Sequence, residues 1–223
     1  MSDVLKPDLC VIGAGSAGLS VAAGASQMGA TTVLIEAGEM GGDCLNYGCV
    51  PSKALLAAAK AAAYPAHARQ LGVDLGPPQV DFRRVHDHVH GVIASIAPMD
   101  SQERFEGMGV TVIRERARFT GPGELQAGDR TVRARRFVIA TGSRPMVPPI
   151  PGLEEADYLT NETVFALKTC PSSLIVMGGG PIGCELGLAF RRLGAEVTIV
   201  EMAQILPKDD PELVDLLRRR LEG

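Results

Sequence analysis

The chain has 223 residues, 46% hydrophobic and 22% charged, with a formal net charge of −4. That is ordinary globular composition, enough for one large or two small domains. The weak acidic excess gives neither nucleic acid nor an anionic membrane a reason to bind, and no apolar run approaches the ~20 residues that span a bilayer. The opening "MSDVLKPDLCVIGAG" lacks the charged, apolar, small-residue order of a secretory leader, so the cytoplasm is the expected location. Five cysteines, an odd and sparse set, speak against a secreted disulfide framework.

The first predicted unit is "LCVIGAGSAGLSVAAGASQMGATTVLIE", residues 9–36. A short apolar run reads as a buried parallel strand. Gly13, Gly15 and Gly18 then supply a G-x-G-x-x-G, an Ala/Leu-rich helix follows, and a second β-branched strand ends in Glu36. The first glycine of such a motif permits the tight turn, the second lets backbone approach a pyrophosphate, and the third lets helix pack on strand. The acidic residue about 20 positions on is placed to accept from a ribose hydroxyl. Each feature has a plainer reading: a tight βα turn without ligand, and a solvated strand-end carboxylate.

Next comes "GGDCLNYGCVPSKALL", residues 41–56. Its two cysteines can staple a loop, hold a metal or carry electrons. On a regular α-helix, residues five apart have Cα atoms ~8.7 Å apart, whereas a disulfide wants roughly 4.4–6.8 Å. Bonding therefore needs a departure from helix between Cys44 and Cys49. Gly48 tolerates unusual dihedrals, and Pro51 would clash with the carbonyl of Tyr47, so regular helix is expected only from about residues 51–53. Cys49 then lies near a helix N-terminus with Lys53 a turn on, and both lower a thiol pKa. A single pair offers two zinc ligands where a structural site wants four.

Beyond it, "SKALLAAAKAAAY" is strongly helix-forming and is expected to stop before Pro65. A second helical region covers about residues 82–107, interrupted near Pro98. Within it "VHDHVHG" puts His86 and His90 on one face beside Asp87, but no third ligand stands at convincing spacing, and a wet helix surface is the reading. Residues 109–136 alternate in short segments broken by Gly-Pro-Gly and Ala-Gly-Asp-Arg, which predicts an antiparallel meander. The meander feeds an apolar strand over residues 137–140. The proline-rich "RPMVPPIPGL" is read as a crossover, with a domain boundary near Pro148.

"LIVMGGGPIGCELGLAFRRLGAEVTIVE", residues 174–201, repeats the first unit without a gap at an offset of 165. Gly178, Gly180, Gly183 and Glu201 stand where Gly13, Gly15, Gly18 and Glu36 stood. Two copies in strand–turn–helix–strand context weigh against a ligand-free turn. The predicted fold is α/β: two Rossmann-like dinucleotide-binding folds, residues 1–148 and 149–223, with an antiparallel β-meander inserted in the first and the second incomplete. Glu201 would repel an adenosine 2′-phosphate, and no Arg follows to welcome one, so NAD(H) is expected over NADP(H). Cys10 and Cys184 read as buried small hydrophobes, and Cys170 as a loop thiol with no visible partner. A thiol pair beside a dinucleotide site reads as a redox centre.

These residues together resemble the class I pyridine nucleotide-disulfide oxidoreductases, the FAD-containing group of dihydrolipoamide dehydrogenase, mercuric reductase and glutathione reductase. "GGDCLNYGCVPSK" is similar to their redox-active disulfide signature, and the glycine motifs and "ATGSRP" extend the resemblance along the whole chain. The resemblance implies FAD at the first repeat, against Gly13, Gly15, Ser16, Gly18, Glu36, Gly42, Asp43, the Ala117 backbone, Thr141 and Gly142. It implies NAD(H) at the second, against Gly178, Gly180, Ile182, Gly183, Glu185 and Glu201. It makes Cys49 the sulfur nearest the flavin, Cys44 the interchange thiol, and Lys53 a neighbour of the flavin N5 edge. Asp43 departs from the pattern, since many members carry Thr there. The activity implied is dihydrolipoamide dehydrogenase-like, or mercuric reductase-like, with a small dithiol, disulfide or metal ion as substrate. Resident metal is not expected, and a homodimer is. Family members continue beyond this length with a His-Glu base from an interface domain. A nucleotide-binding fragment ending at Gly223, with an unburied apolar sheet face and without turnover, is the remaining expectation.

Overall fold

The computed structural model describes residues 4–222. The expectations read in part from residues 1–3 and from Gly223 lie outside the described residues. Two compact units form: the chain up to Pro51 with Gly91–Val164, and Ser52–His90 with the chain from Phe165 onward.

In chain order the elements are β1 (Val4–Leu5), β2 (Leu9–Ile12), α1 (Ser16–Gln27), β3 (Thr32–Ile35), α2 (Gly42–Asn46), α3 (Cys49–Gln70) and α4 (Phe82–Ile96). A 3-10 turn over Ala97–Asp100 leads to α5 (Gln102–Gly107), then β4 (Thr111–Ile113), β5 (Ala117–Gly121), β6 (Glu124–Ala127), β7 (Arg130–Val132) and β8 (Arg136–Ile139). After two further 3-10 turns come β9 (Ser173–Met177), α6 (Pro181–Leu193), β10 (Glu196–Val200) and α7 (Pro211–Glu222).

The first unit is layered. Strands β4-β3-β2-β8 make a parallel sheet, and β1-β7-β6-β5 make a second, mixed sheet in which only β1 and β7 pair in parallel. Because successive side chains on a strand point to opposite faces, each parallel strand feeds two cores. Val11, Leu34 and Val112 pack with Leu19 and Ala22 of α1 and Phe105 of α5 on one face. Cys10, Val33 and Ile113 pack with Leu125, Ala127 and Val132 of the second sheet on the other. Burial on both faces is why these strands are continuously apolar, and each such side chain contributes about 1.5–3 kcal/mol relative to exposure.

Three expectations need correction. Residues 111–113 do not join the meander. They form β4 and pair in parallel with β3, and only β5, β6 and β7 are antiparallel. The apolar, two-faced Thr-Val-Ile suits the buried sheet better than the half-exposed one. Pro65 does not end its helix, which runs on to Gln70. The lost amide hydrogen bond is one among many in an alanine-rich run of high helix propensity. In the second unit, β9 and β10 are parallel but alternate between exposed and half-buried residues, so they are not fully buried strands. Helix α6 covers one face, where a Cβ on Gly187 would meet Ile199 at 3.1 Å. Ile175, Met177 and Val200 on the other face are exposed.

Asp8 fastens the entry of the parallel sheet. Its carboxylate accepts from the Thr31 hydroxyl at 2.7 Å, the Thr31 amide at 3.1 Å and Arg135 at 2.9 Å. These donors, Thr31 first, hold its pKa down to about 2. A depressed carboxylate pKa contributes stability above the unfolded value, lost as pH falls through the folded one. Asp8→Asn is therefore expected to melt below wild type at pH 6, with the two curves converging as pH falls toward 2, measured by thermal scans across that range.

Candidate functional site

The two glycine motifs share their turn geometry. Gly13 and Gly178 adopt φ of +106° and +107°, which L side chains rarely take. Each donates its amide back to the neighbouring strand's end, Gly13 to Ile35 O at 2.7 Å and Gly178 to Val200 O at 2.9 Å. Gly15 and Gly180 are the N-caps of α1 and α6, and neither helix end has a side-chain cap, so first-turn amides are left without a side-chain acceptor. Gly18 and Gly183 are demanded by sterics: a Cβ would lie 1.8 Å from Gly13 O in one and 2.1 Å from Gly178 O in the other.

The paired carboxylates do more than sit at strand ends. Glu36 accepts from the Ala14 amide at 2.5 Å and from Gly38 at 2.6 Å. Glu201 accepts from Gly179 at 2.8 Å and from Ala203 at 3.1 Å. Each buckles its glycine turn to the loop after the second strand. The Gly179 amide, then that of Ala203, holds the Glu201 carboxyl below the usual carboxylate range.

Other predicted residues gather at the same edge of the first unit. Thr141 follows β8, and its Cα lies 3.1 Å from where a Gly13 Cβ would be, while Gly142 takes φ +68° with open space beside it. Gly42 abuts the loop, a Cβ there meeting Gly15 Cα at 2.6 Å, and Gly41 bridges Gly15 in parallel. Ala117 opens β5 opposite Ala127 and packs into the core under the parallel sheet. Uncapped amides, a positive-φ turn and glycine clearances make a backbone cradle that fits a dinucleotide pyrophosphate.

The cysteine segment is broken between Cys44 and Cys49 as bonding requires, though the helix after the break starts earlier than expected. Cys44 lies in α2, Cys49 is the first residue of α3, and Tyr47-Gly48 form the junction. Helix thus begins two residues before Pro51, which sits in a first turn where its missing amide costs nothing. Gly48 is not in the left-handed region. It is glycine because a Cβ would meet Asp43 Oδ2 at 2.8 Å and Asp43 O at 3.0 Å. The pair is present as thiols. Cys44 donates to the Cys49 sulfur, and this bond, with burial and the neighbouring Asp43 charge, pushes its pKa up to about 11 against an opposing bond from the Cys49 amide. Cys44 therefore keeps its proton.

Lys53 and Glu185, 132 residues apart in sequence, form a two-oxygen ion pair in the second unit at 2.8 and 2.6 Å. Ile182 stands exposed in the first turn of α6. His86 bonds Asp87 at 3.0 Å, and His90 donates to Phe165 O at 3.0 Å. Among the described residues no three His, Cys, Asp or Glu side chains are grouped to hold a metal, and no helix is long and apolar enough to cross a membrane. Cys10 and Cys184 are buried, and desolvation raises the Cys10 thiol to about 12. Cys170 is also raised by burial.

One residue escaped sequence reasoning. Asn161 donates to Asp43 Oδ1 at 2.9 Å and to Tyr47 O at 3.4 Å. Nothing in its Thr-Asn-Glu-Thr setting announces a partner 118 residues away.

Comparison with known proteins agrees with this geometry. The model of the pyridine nucleotide-disulphide oxidoreductase family matches residues 7–223. A dihydrolipoyl dehydrogenase of Thermus scotoductus is 39% identical over 219 residues, 96% of this chain and 46% of that protein. A mercuric reductase of Staphylococcus aureus is 34% identical over 215 residues, 96% of this chain and 39% of that one. Among solved structures, the Cu(II) complex of the HOCl-induced flavoprotein disulfide reductase RclA from Escherichia coli superposes with a TM-score of 0.81 at 27% identity, covering 96% of this chain and 46% of that one. The chain spans less than half the length of these relatives.

Proposed function

This chain belongs to the pyridine nucleotide-disulfide oxidoreductase family, whose members use FAD and NAD(P)H, and from that premise we propose that it is the nucleotide-binding and dithiol-bearing part of a flavoprotein disulfide reductase. Residues 1–148 are the flavin domain and 149–223 belong to the NAD(H) domain. The observation that carries this reading is the thiol pair broken across two helices, α2 and α3, on a segment whose Gly41 and Gly42 pack against the first glycine loop.

Bound FAD supplies two-electron chemistry between nicotinamide and sulfur. The protein's part is binding, orientation and proton placement. The N-terminal end of α1, past the Gly13–Gly15 turn, and the ends of β3 and β8 would hold the pyrophosphate and ribose. Gly178, Gly180, Gly183, Ile182 and Glu201 serve the nicotinamide nucleotide in the same way. Reduction breaks the Cys44–Cys49 bond and, with two electrons and two protons, leaves two thiols. Cys44 retains its proton by donating to Cys49 and, once deprotonated, attacks substrate. Lys53 and Glu185 are held to each other at the nicotinamide side. The substrate is a small dithiol or disulfide of the lipoamide type. The similarity to mercuric reductases favours a second reading, a thiophilic metal ion. The whole enzyme acts as a homodimer in the cytoplasm, where a reducing environment suits five cysteines outside any structural framework.

Protein mixed with FAD and passed over a gel-filtration column is expected to retain a flavin spectrum distinct from that of the free cofactor. Mass spectrometry with and without dithiothreitol should show a two-proton difference confined to the 44–49 peptide. Flavin eluting free, together with no mass difference, sinks the proposal.

A further inference from the structure

The Tyr47-Gly48 junction is tied down from a distant part of the first unit. Tyr47 donates its amide to Asp43 O at 2.8 Å, closing α2. The Asp43 side chain accepts at its Oδ1 from Asn161 at 2.9 Å. The same Asn161 amide reaches the Tyr47 carbonyl at 3.4 Å. Gly48 leaves room for this arrangement, since any side chain there would collide with the Asp43 carboxylate. One amide therefore ties Asp43, the residue before Cys44, to Tyr47, two residues before Cys49.

We infer that Asn161 and Asp43 are positioning residues for the Cys44–Cys49 couple, Asn161 holding the junction at bonding geometry and Asp43 fixing a carboxylate beside the interchange thiol. The inference rests on the reading of the pair as a redox couple. It also gives the departure at Asp43 a role. A free carboxylate beside the pyrophosphate cradle would oppose an anionic ligand, and the Asn161 amide draws it to the thiols. The titratable groups acting on Cys44 are Cys49 across the junction and Asp43 on its own helix, and the carboxylate's charge favours the protonated thiol. The hydrogen bond to Cys49 and burial hold the Cys44 proton first, and the Asp43 charge adds to them. Asn161 keeps the two sulfurs within reach, so that the disulfide closes without first freezing a loop.

Two substitutions separate the roles. Asp43→Asn removes the charge but keeps a carbonyl to accept from Asn161. Asn161→Ala keeps the charge and removes the grip, and Asn161→Gln restores an amide one methylene longer. Equilibration with oxidised and reduced glutathione measures closure: two thiols and one oxidised glutathione give the intramolecular disulfide and two reduced glutathiones. Iodoacetamide alkylation, with Cys44 located by peptide mapping, gives the pH profile of that thiol.

Asn161→Ala is expected to shift the glutathione equilibrium toward the dithiol by roughly tenfold, and Asn161→Gln to recover part of it. Asp43→Asn should leave closure within about twofold but speed Cys44 alkylation at pH 8 by roughly three- to tenfold, with the profile moved to lower pH. Closure unchanged in Asn161→Ala, or an unmoved pH profile in Asp43→Asn, overturns the respective role. If wild type forms no disulfide at any glutathione ratio, the redox reading itself fails. The alkylation arm needs no disulfide and still decides the role of Asp43.

Discussion

A Gly18→Ala variant is expected to lose flavin retention and to fall in stability by about 3 kcal/mol or more. The added methyl would sit 1.8 Å from Gly13 O and 2.9 Å from Gly13 C, backbone atoms of the turn itself. A flexible side chain could swing away, whereas backbone held by the Gly13-to-Ile35 hydrogen bond cannot without moving the turn. Overpacking a well-packed site ordinarily costs ~1–3 kcal/mol, and a backbone collision lies at the upper end or beyond. Displacing the turn would also spoil the amide cradle, so cofactor loss should exceed what destabilisation alone explains. Two controls sharpen the test. Gly24→Ala lies in the same helix with nothing within 4 Å of the new methyl, and should stabilise by about 0.5–1 kcal/mol. Gly183→Ala makes the matching 2.1 Å collision with Gly178 O and should abolish nicotinamide nucleotide binding while sparing flavin. Thermal unfolding and absorbance after gel filtration read both effects. A Gly18→Ala protein that keeps its flavin and melts with wild type would show that the helix can back away from the strand.

How much of this was visible in the chain alone depends on whether the cause was local. The glycine turns were legible because each glycine answers a constraint within six residues: a positive φ at Gly13, a helix start at Gly15, a clash at Gly18. The break between Cys44 and Cys49 followed from helix geometry alone, since five residues of regular helix separate sulfurs too far. Its exact place did not. Pro51 is compatible with a first helical turn, and sequence could not show that a carboxylate would occupy the space beside Gly48. Strand assignment for residues 111–113 needed to know that β3 had an open edge. The exposure of Ile175, Met177 and Val200 likewise depends on which elements lie against the β9-β10 sheet, not on the strands' own residues. Asn161 and the Lys53–Glu185 pair were illegible as contacts for one reason: each joins segments more than a hundred residues apart, and one polar residue in a turn looks like another until the fold brings its partner near.

The nucleotide preference turns on one carboxylate whose setting is now explicit. Glu201 ends β10 and is anchored by the amides of Gly179 and Ala203, so its charge is fixed beside the glycine turn and not free to swing into solvent. A ribose 2′-hydroxyl can donate to its remaining lone pairs, while a 2′-phosphate would meet a like charge that cannot retreat. NADH is therefore expected to bind at least tenfold more tightly than NADPH. The same amides hold the Glu201 carboxyl below the usual range, which keeps it ionised as pH falls. The preference should then persist through mildly acidic solution and relax only below the ordinary carboxylate range. Glu201→Gln keeps an acceptor for the Gly179 amide and removes the charge, and should bring the two nucleotides within a few-fold of each other. Glu201→Arg adds a guanidinium suited to phosphate and should reverse the order, at some cost in stability because the turn loses its anchor. Fluorescence titrations with NADH and NADPH at pH 7 and pH 5 give all four comparisons. Tenfold tighter NADPH binding by wild type would mean that Glu201 serves the turn alone and that specificity is set elsewhere.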